Sequence, residues 1–541
     1  MKMQRLSALA ITVLMAACGQ AHKDQRRHQA PTGAHDVGVL VDSLSPADLA
    51  HLQAQFPEAK IRHLSPEHGL YEFFDVSESD LKPFVPNSSI QKNRFYEFKK
   101  FSEPVPAGLE VKGLDKCVTV TKFPKAVLTV VQPAVKSTVF TVELGESVKL
   151  SSQNSQPHMF FPSELKSAFV VVPPSNPAGG GVALGKAIEF KPQALGAYRI
   201  FLIVQDSRGA CAMEEAALQV TVNRPYDPPP NPPSLDLAKF NHLKMVKAPE
   251  AWKLSEGQGI TIAVLDTGIQ YNHPYLASGI NGGDSARPLG WDFVNDDAFP
   301  YDDDGHGSHV AGLAAGRQFG IARKSNILPI KVLNSIGGDA GSFAAGILYA
   351  VDHGAKVINI SAGGASPQPH PMLVKAVQYA EQHDVLVVAA AGNGDPMSGL
   401  GFNLDMIPIY PAALTQSNVL TVGASDSINP LAPYSNFGAK SVDVVTPGGL
   451  APDDLLTSAA MENTTGEVFA GMSGTSMASP IAAGIAALVW SAHPNLTLKQ
   501  VKQTLIDAGT RDHDLEGITV SGRKLDALTA VEPPSSTSLS F

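Results

Sequence analysis

The chain has 541 residues, with 41 basic and 51 acidic side chains and a formal net charge of −10 at pH 7. A chain of this length buries a large core and suggests several domains. The acidic balance, without a basic stripe, argues against nucleic acid as a partner. Charged residues make up 17% of the chain and hydrophobic residues 44%, which excludes a largely disordered protein.

The first segment in chain order has the pattern of an export signal. Lys2 and Arg5 precede an apolar run over residues 6–15, which is too short to span a bilayer as a stable helix. Residues 1–17 are therefore predicted to be a signal peptide. Cys18, directly after two alanines, resembles the lipobox cysteine of bacterial lipoproteins. This resemblance implies lipidation of Cys18, a membrane anchor and an exported protein at the outer membrane, the cell surface or the periplasm. An ordinary signal peptide with an incidental cysteine is the alternative.

The next segments have distinct compositions. Residues 18–35 are polar and predicted to form a tether. Residues 36–100 show the order strand, helix, strand, strand, helix, strand, which predicts a small α+β domain. Residues 105–224 carry closely spaced strand signals and resemble an immunoglobulin-like β-sandwich. A proline-rich linker covers 225–234, and a Pro/Ser-rich flexible tail covers 532–541.

Two further cysteines fall in the sandwich-like region. Cys117 and Cys211 lie near its first and last strands. An exported protein meets oxidising conditions, so one interpretation is a disulfide between them. Two unpaired cysteines, buried as small hydrophobic side chains, are the alternative.

Strands alternate with helices over residues 235–531, which predicts an α/β domain with a doubly wound, mostly parallel sheet. Asp266 ends an apolar strand, and His306 stands at a glycine-flanked helix start. Asn393 follows a second apolar strand, and Ser476 stands at the start of a long apolar helix with Pro480 predicted in its first turn. Functional groups gather at the carboxyl ends of parallel strands, and helix N-termini favour negative charge. The four polar residues are therefore predicted to meet.

These residue types predict nucleophilic catalysis. Ser476 needs a base to become a nucleophile, and His306 is predicted to take its proton. Asp266 would orient the imidazole, while Asn393 and the Ser476 N–H would hold an oxyanion. His309 is the rival base, three residues after His306. The His-x-x-His spacing also suggests a zinc site as an alternative. It lacks, however, the glutamate of the zinc-binding His-Glu-x-x-His helix.

The order Asp, His, Asn, Ser and the motifs around these residues resemble the subtilisin-like serine proteases. The resemblance covers about residues 235–531. It implies a serine endopeptidase that acts on protein or peptide substrates and needs no cofactor for its chemistry. Residues 36–100 resemble the inhibitory propeptide of the same family in pattern and position, which implies an intramolecular inhibitor. An unrelated α+β domain is the alternative. Cleavage after this region, near Phe98, would also release the enzyme from an anchor at Cys18.

A substrate-binding segment is also implied by the resemblance. Ser361, Ala362 and Gly363 follow an apolar strand and resemble the family's substrate-pairing segment, with alanine where most relatives carry leucine. The alanine run before Asn393 resembles one wall of the primary specificity pocket. Tight packing of a central strand explains these alanines equally well.

An acidic loop before His306 is a candidate metal site. Asp292, Asn295 and Asp297 place oxygen ligands at short intervals, a pattern that suits Ca²⁺. Their spacing to His306 resembles a calcium loop in related proteases. A solvated acidic loop without metal is the alternative.

Two other classes of function compete with the protease. One is an adhesion or binding protein that uses the sandwich and carries an inactive protease domain. The intact set of Asp266, His306, Asn393 and Ser476 counts against it. The other is a lipase or esterase of the α/β-hydrolase fold. Ser476 lacks the surrounding Gly-x-Ser-x-Gly turn that this fold requires.

Overall fold

A computed structural model describes residues 4–5, 38–85, 88–97, strand segments between 119 and 221, and 234–532 apart from 277–278, 281–289, 335–336, 396–397 and 461–467. The predicted tether, the proline-rich linker, the tail and Cys18 lie outside these residues. The chain divides into two compact units. The first consists of residues 1–37, 98–223 and 334–336, and the second of residues 38–97, 224–333 and 337–541.

The amino-terminal elements are β1 Gln4–Arg5, β2 Val39–Val41, α1 Pro46–Gln55, β3 Lys60–Ser65, β4 Leu70–Phe74, α2 Glu78–Leu81, β5 Ile90–Lys92 and β6 Phe95–Glu97. Strands β2 to β5 form an antiparallel sheet in the order β3-β4-β2-β5. Ser45 and Ser77 cap the two helices through their hydroxyl groups. The sheet and both helices share one buried cluster, which includes Val41, Leu52 and Phe73. The element order is the one that the sequence predicts.

The middle region forms a unit of strands: β7 Thr119–Val120, β8 Thr129–Gln132, β9 Val139–Glu143, β10 Val148–Ser151, β11 Lys166–Val172, β12 Gly181–Leu184, β13 Ala187–Phe190, β14 Gly196–Gln205 and β15 Ala210–Thr221. One sheet has the order β1-β12-β11-β14-β15-β7, with β9 also on β15, and the other has β13-β10-β8. Leu150 of the smaller sheet and Phe169 of the larger belong to one buried cluster. The immunoglobulin-like assignment stays a prediction. So does the disulfide, because Cys117 lies outside the described residues.

The remaining elements are α3 Asn241–Met245, α4 Ala248–Ala251, β16 Thr261–Asp266, β17 Trp291–Asp292, α5 His306–Ala315, β18 Asn326–Lys331, β19 Gly337–Asp339, α6 Ala340–Asp352, β20 Val357–Ile360, β21 Gly364–Ala365, α7 Pro371–Gln382, β22 Leu386–Ala390, β23 Ile409–Tyr410, β24 Val419–Ser425, β25 Val444–Pro447, β26 Leu456–Ala459, β27 Phe469–Met472, α8 Thr475–Ala492, α9 Leu498–Asp507, β28 Thr510–Arg511, β29 Arg523–Lys524 and α10 Ala527–Val531.

A large sheet organises this region. Its strand order is β17-β18-β16-β20-β22-β24-β25-β29-β28, and every neighbouring pair is parallel except β28 with β29. The prediction of a mostly parallel sheet is therefore confirmed. Every residue of β16 and β22 is buried, as expected for strands that are covered on both faces. Because these strands are parallel, Asp266 at the end of β16 and Ser361 after β20 lie at the same edge.

Helix α8 runs through the core of this unit. It contacts the central strands β20, β22 and β24 as well as α5. Among the described residues it is the one helix long and apolar enough to cross a membrane, but 83% of that window is buried inside the protein, as in a core helix. The sequence places Pro480 in its first turn. This is wrong, because the helix already begins at Thr475 and Pro480 lies in the second turn.

Candidate active site

Asp266 and His306 form the centre of the site. Asp266 ends β16 and is fully buried, while His306 begins α5 and is 8% exposed. The imidazole Nδ1–H donates to Asp266 Oδ1 at 2.7 Å. The same carboxylate oxygen accepts the Thr267 N–H at 2.8 Å. The acid therefore fixes both the orientation and the tautomer of the imidazole, with its Nδ1 as the donor.

Asp302 ties the end of β16 to the start of α5. Its Oδ1 accepts the Thr267 hydroxyl and the Gly305 N–H, both at 2.8 Å. Its Oδ2 accepts both the N–H and the hydroxyl of Ser308. The Thr267 hydroxyl in turn accepts the Gly307 N–H at 2.9 Å. A Cβ at Gly307 would lie 2.1 Å from the Gly268 carbonyl, so only glycine allows this close approach. The sequence does not single out Asp302, which is one of three consecutive aspartates shortly before His306.

A buried lysine neutralises the acidic side chains beneath this pair. Lys331 on β18 is fully buried, and its Nζ donates to Asp303 Oδ1 at 2.8 Å and to the Thr267 carbonyl at 2.6 Å. Burial raises the pKa of Asp303 to about 7, against the opposing attraction of Lys331. Burial alone would lower the pKa of Lys331, but Asp303 and Asp292 outweigh it and raise that pKa. The ammonium therefore stays charged.

The candidate calcium loop is held by its own donors. Asp292 is buried, and its Oδ1 accepts the N–H groups of Val294 and Asn295. Its Oδ2 accepts the Asn295 amide at 2.8 Å, and Asp297 Oδ1 accepts the Phe299 N–H. Asn295 therefore turns a donor, not an oxygen ligand, toward Asp292. Within the described ranges no group of three or more His, Cys, Asp or Glu is arranged to hold a metal ion. These donors hold the loop without a metal, and calcium binding by Asp292, Asn295 and Asp297 stays a prediction.

Ser476 stands in the first turn of α8, next to the predicted substrate-pairing segment. The helix is preceded by Gly474, whose φ of 148° lies in the region that favours glycine. The Ser476 hydroxyl donates to the Ser361 carbonyl at 2.9 Å. Ser361 directly follows β20, so the structure brings together two residues that are 115 positions apart in the chain.

Asn393 is oriented by the residue before Ser476. Its Oδ1 accepts both the Thr475 N–H, at 2.8 Å, and the Thr475 hydroxyl, at 2.9 Å. The Thr475 hydroxyl also accepts the Gly392 N–H at 3.0 Å. Because the amide oxygen is used in this way, the amide NH₂ is the end of Asn393 left for other partners. Thr475 was not identified from the sequence, although it adjoins Ser476.

A buried network links the first two turns of α8 to β20. Ser479 on α8 donates to the Asn359 side-chain oxygen, and the Asn359 amide donates to the Ser361 hydroxyl at 2.9 Å. The Ser361 hydroxyl donates to the Ser476 carbonyl at 2.9 Å. The sequence missed Asn359 and Ser479, since nothing local marks either residue. In the rest of the predicted substrate segment, Ala362 is half-buried and Gly363 is exposed.

The other sequence candidates lie in the core. His309 is fully buried, and its Nε2 contacts the carbonyls of Leu456 and Ala470 at 2.9 and 3.2 Å. Burial lowers the pKa of His309 to about 3, so it is a structural donor rather than a base. Ala389 and Ala391 belong to a buried apolar cluster with Leu404 and Ile409, which agrees with tight packing of a central strand.

Comparisons with known proteins identify the family. Residues 257–522 match the Subtilase family (Peptidase S8). The chain is 38% identical over 269 residues to thermitase from Thermoactinomyces vulgaris, covering 48% of this chain and 85% of that protein. It is 37% identical over 276 residues to subtilisin Savinase from Lederbergia lenta, covering 50% and 90%. A lanthipeptide protease structure matches with 26% identity and a TM-score of 0.49, covering 55% of this chain and 96% of that one. On the sequence matches, the chain belongs to the subtilase family of serine endopeptidases.

Proposed function

We propose that Ser476, His306 and Asp266 hydrolyse peptide bonds as nucleophile, base and orienting acid. The observation that carries this proposal is the buried 2.7 Å hydrogen bond between His306 Nδ1 and Asp266. Because Nδ1 carries the proton, Nε2 presents a lone pair that can take the Ser476 proton as Oγ attacks the substrate carbonyl. His306 then donates this proton to the leaving amine. Water repeats the attack on the acyl-enzyme and releases the second product.

Asn393 and the Ser476 N–H serve as oxyanion donors in this proposal. The support is the double hydrogen bond from Thr475, which uses the amide oxygen of Asn393 and leaves its NH₂ to donate. The Ser476 N–H lies at the N-terminus of α8, where the helix dipole also favours negative charge. A fixed donor stabilises the developing charge without reorganisation during the reaction.

The region of residues 36–100 is proposed to be the enzyme's own inhibitor. Its strand β6 pairs antiparallel with β19, which directly precedes α6. Polar contacts join it to β19, α6 and α7: Arg62 donates to Asp339, His68 Nε2 contacts Asp352 at 2.8 Å, and Lys375 pairs with Asp42. The paired strand occupies an edge to which an extended substrate could add.

Export and anchoring complete the proposal. Residues 1–17 would direct secretion, and a lipid on Cys18 would hold the precursor at a membrane. Self-cleavage near Phe98 would then separate the enzyme from its anchor. Cells that make wild-type or Ser476→Ala protein can be fractionated and blotted for the C-terminal region. We expect soluble, shortened wild-type antigen and membrane-bound, full-length mutant antigen apart from the signal peptide. Active enzyme that stays full-length on the membrane would contradict this part.

The catalytic proposal is tested with a fluorophosphonate probe and the Ser476→Ala variant. We expect the probe to label wild-type protein at Ser476 and the variant to lose both labelling and peptide hydrolysis. The fold should survive, because the change removes one half-buried hydroxyl and its hydrogen bond to the Ser361 carbonyl, which costs ~1 kcal/mol. A matched control is Ser491→Ala on the last turn of the same helix, whose hydroxyl donates to the Gln258 carbonyl. Undiminished proteolysis by the Ser476→Ala variant would contradict the assignment of Ser476 as the nucleophile.

A further inference from the structure

We propose that Ser366 and the Gln368 carbonyl form a subsite for a basic, arginine-type side chain of the substrate, on the strand that precedes the cleaved bond. The proposal rests on the proposed peptidase function and names a feature of its substrates. It comes from the way in which residues 93–97 of this chain lie against the protease domain.

Residues 95–97 lie on the protease domain as an added strand. Glu97 pairs with Gly337, Tyr96 with Gly338 and Phe95 with Asp339. The Ala340 N–H donates to the Arg94 carbonyl at 2.8 Å, which carries the pairing one residue further. Strand β19 forms a sheet with β6 alone in the described part of the chain. When residues 36–100 leave, this edge becomes free to accept another extended peptide.

Arg94 crosses from this edge to the segment that reaches the nucleophile. Its Nη1 donates to the Ser366 hydroxyl at 2.6 Å and to the Gln368 carbonyl at 3.0 Å. The Ser366 hydroxyl donates in turn to the Gln368 carbonyl at 2.8 Å, so its lone pairs face the guanidinium. Ser366 is buried and lies five residues after Ser361, whose carbonyl accepts the Ser476 hydroxyl. A peptide strand that pairs with β19 is thus also bound at Ser366, through the side chain at the position of Arg94.

The charge around this position favours a cation. Asp339 lies on β19, and its carboxylate accepts hydrogen bonds from Arg62 and from Asn93, the neighbour of Arg94. Departure of residues 36–100 removes both partners. The contacts that remain are the Ser342 N–H and hydroxyl, neither of which is charged. The opened edge therefore carries an unbalanced carboxylate on the strand to which the peptide pairs. This charge adds to the two oxygen acceptors at Ser366 and Gln368, and the combination is suited to arginine.

The test uses the full chain after it has processed itself, with quenched-fluorescence peptides of residues 91–102. Three peptides carry Arg, Ala or Glu at the position of Arg94. We expect kcat/KM to be about tenfold higher for the Arg peptide than for the Ala peptide, since hydrogen bonds to charged groups are worth about one such factor. The Glu peptide should be the slowest. With Ser366→Ala enzyme, the ratio of kcat/KM between the Arg and Ala peptides should fall to about threefold or less. With Ser491→Ala enzyme it should stay at the wild-type value.

The outcomes separate this subsite from the function on which it rests. Equal kcat/KM values for the three peptides on wild-type enzyme would overturn the subsite alone. An unchanged Arg-to-Ala ratio in Ser366→Ala enzyme would overturn the assignment to Ser366. Failure of wild-type enzyme to cleave any of the peptides, or casein, would overturn the peptidase proposal instead. The wild-type peptide series is decisive by itself if the Ser366 variant does not fold.

Discussion

Ser361 and Ser476 are joined by two reciprocal hydrogen bonds. The Ser361 hydroxyl donates to the Ser476 carbonyl, and the Ser476 hydroxyl donates to the Ser361 carbonyl, each at 2.9 Å. In a regular helix the Ser476 carbonyl would accept the N–H four residues later. That residue is Pro480, which has no N–H to donate. The proline thus leaves a helix carbonyl for Ser361, and the predicted substrate-pairing segment and the proposed nucleophile are fixed to each other.

Removing the Ser361 hydroxyl should destabilise the protein in a way that Pro480 controls. In a Ser476→Ala background, which prevents self-digestion, Ser361→Ala leaves a buried carbonyl without this donor and should cost about 1–3 kcal/mol. Adding Pro480→Ala supplies an N–H for the same carbonyl and should recover part of the loss. Thermal melting of the four combinations measures the coupling. If Pro480→Ala shifts the melting temperature equally with and without the Ser361 hydroxyl, the two residues do not share this carbonyl.

Thr475 should act through Asn393. Thr475→Val keeps the side-chain shape but removes the hydroxyl that donates to the Asn393 oxygen, so we expect kcat to fall about tenfold with little change in KM. Thr475→Ser retains the hydroxyl and should stay near wild type. Asn393→Ala should lower kcat by ~10²–10³. In the Asn393→Ala background, Thr475→Val should add little. If the losses in kcat from Thr475→Val and Asn393→Ala add fully in the double variant, Thr475 does not act through Asn393.

His242 should make the fold sensitive to acid. It is fully buried, its Nε2 lies 3.0 Å from the Phe319 carbonyl, and burial lowers its pKa to about 4. The unfolded chain binds the proton near pH 6.5, so His242 contributes stability above that pH and loses it as the pH falls toward 4. The loss is about 3 kcal/mol over this range.

The measurement is the melting temperature between pH 7 and pH 4 in the Ser476→Ala background. His242→Gln keeps a donor for the Phe319 carbonyl but does not titrate, so its melting temperature should fall less steeply. His513→Gln is the control, because the His513 side chain is 93% exposed. An identical slope in wild-type and His242→Gln protein would show that another group dominates acid unfolding.

Chelation should leave the acidic loop intact. The Asp292 carboxylate is occupied by the N–H groups of the loop and by the Asn295 amide. We therefore expect the melting temperature of Ser476→Ala protein to be unchanged by EGTA. If EGTA lowers the melting temperature of protein with the natural loop but not that of protein with the added Asp292→Ala substitution, the loop does bind Ca²⁺. A drop of equal size in both would place a metal elsewhere.

Local sequence patterns predicted the parallel sheet and the positions of the four polar residues, because each residue stands at the end of a strongly apolar strand or the start of a helix. The partners that hold them were not predictable in this way. Asp302 accepts from Thr267, 35 positions away, and Asn359 contacts Ser479, 120 positions away. Such pairs depend on the tertiary fold. Pro480 was placed one turn too early because the helix start is set by Gly474 and by the contact of Thr475 with Asn393.

Lys331 puts a positive charge next to Thr267, the neighbour of Asp266, on a side chain of strand β18, which pairs directly with β16. A bound ion at such a place would dissociate, exchange with other ions and vary in occupancy with the medium. A lysine can do none of these things. This corner of the enzyme carries its counter-ion in the polypeptide itself, and its geometry does not depend on the supply of divalent ions in the medium.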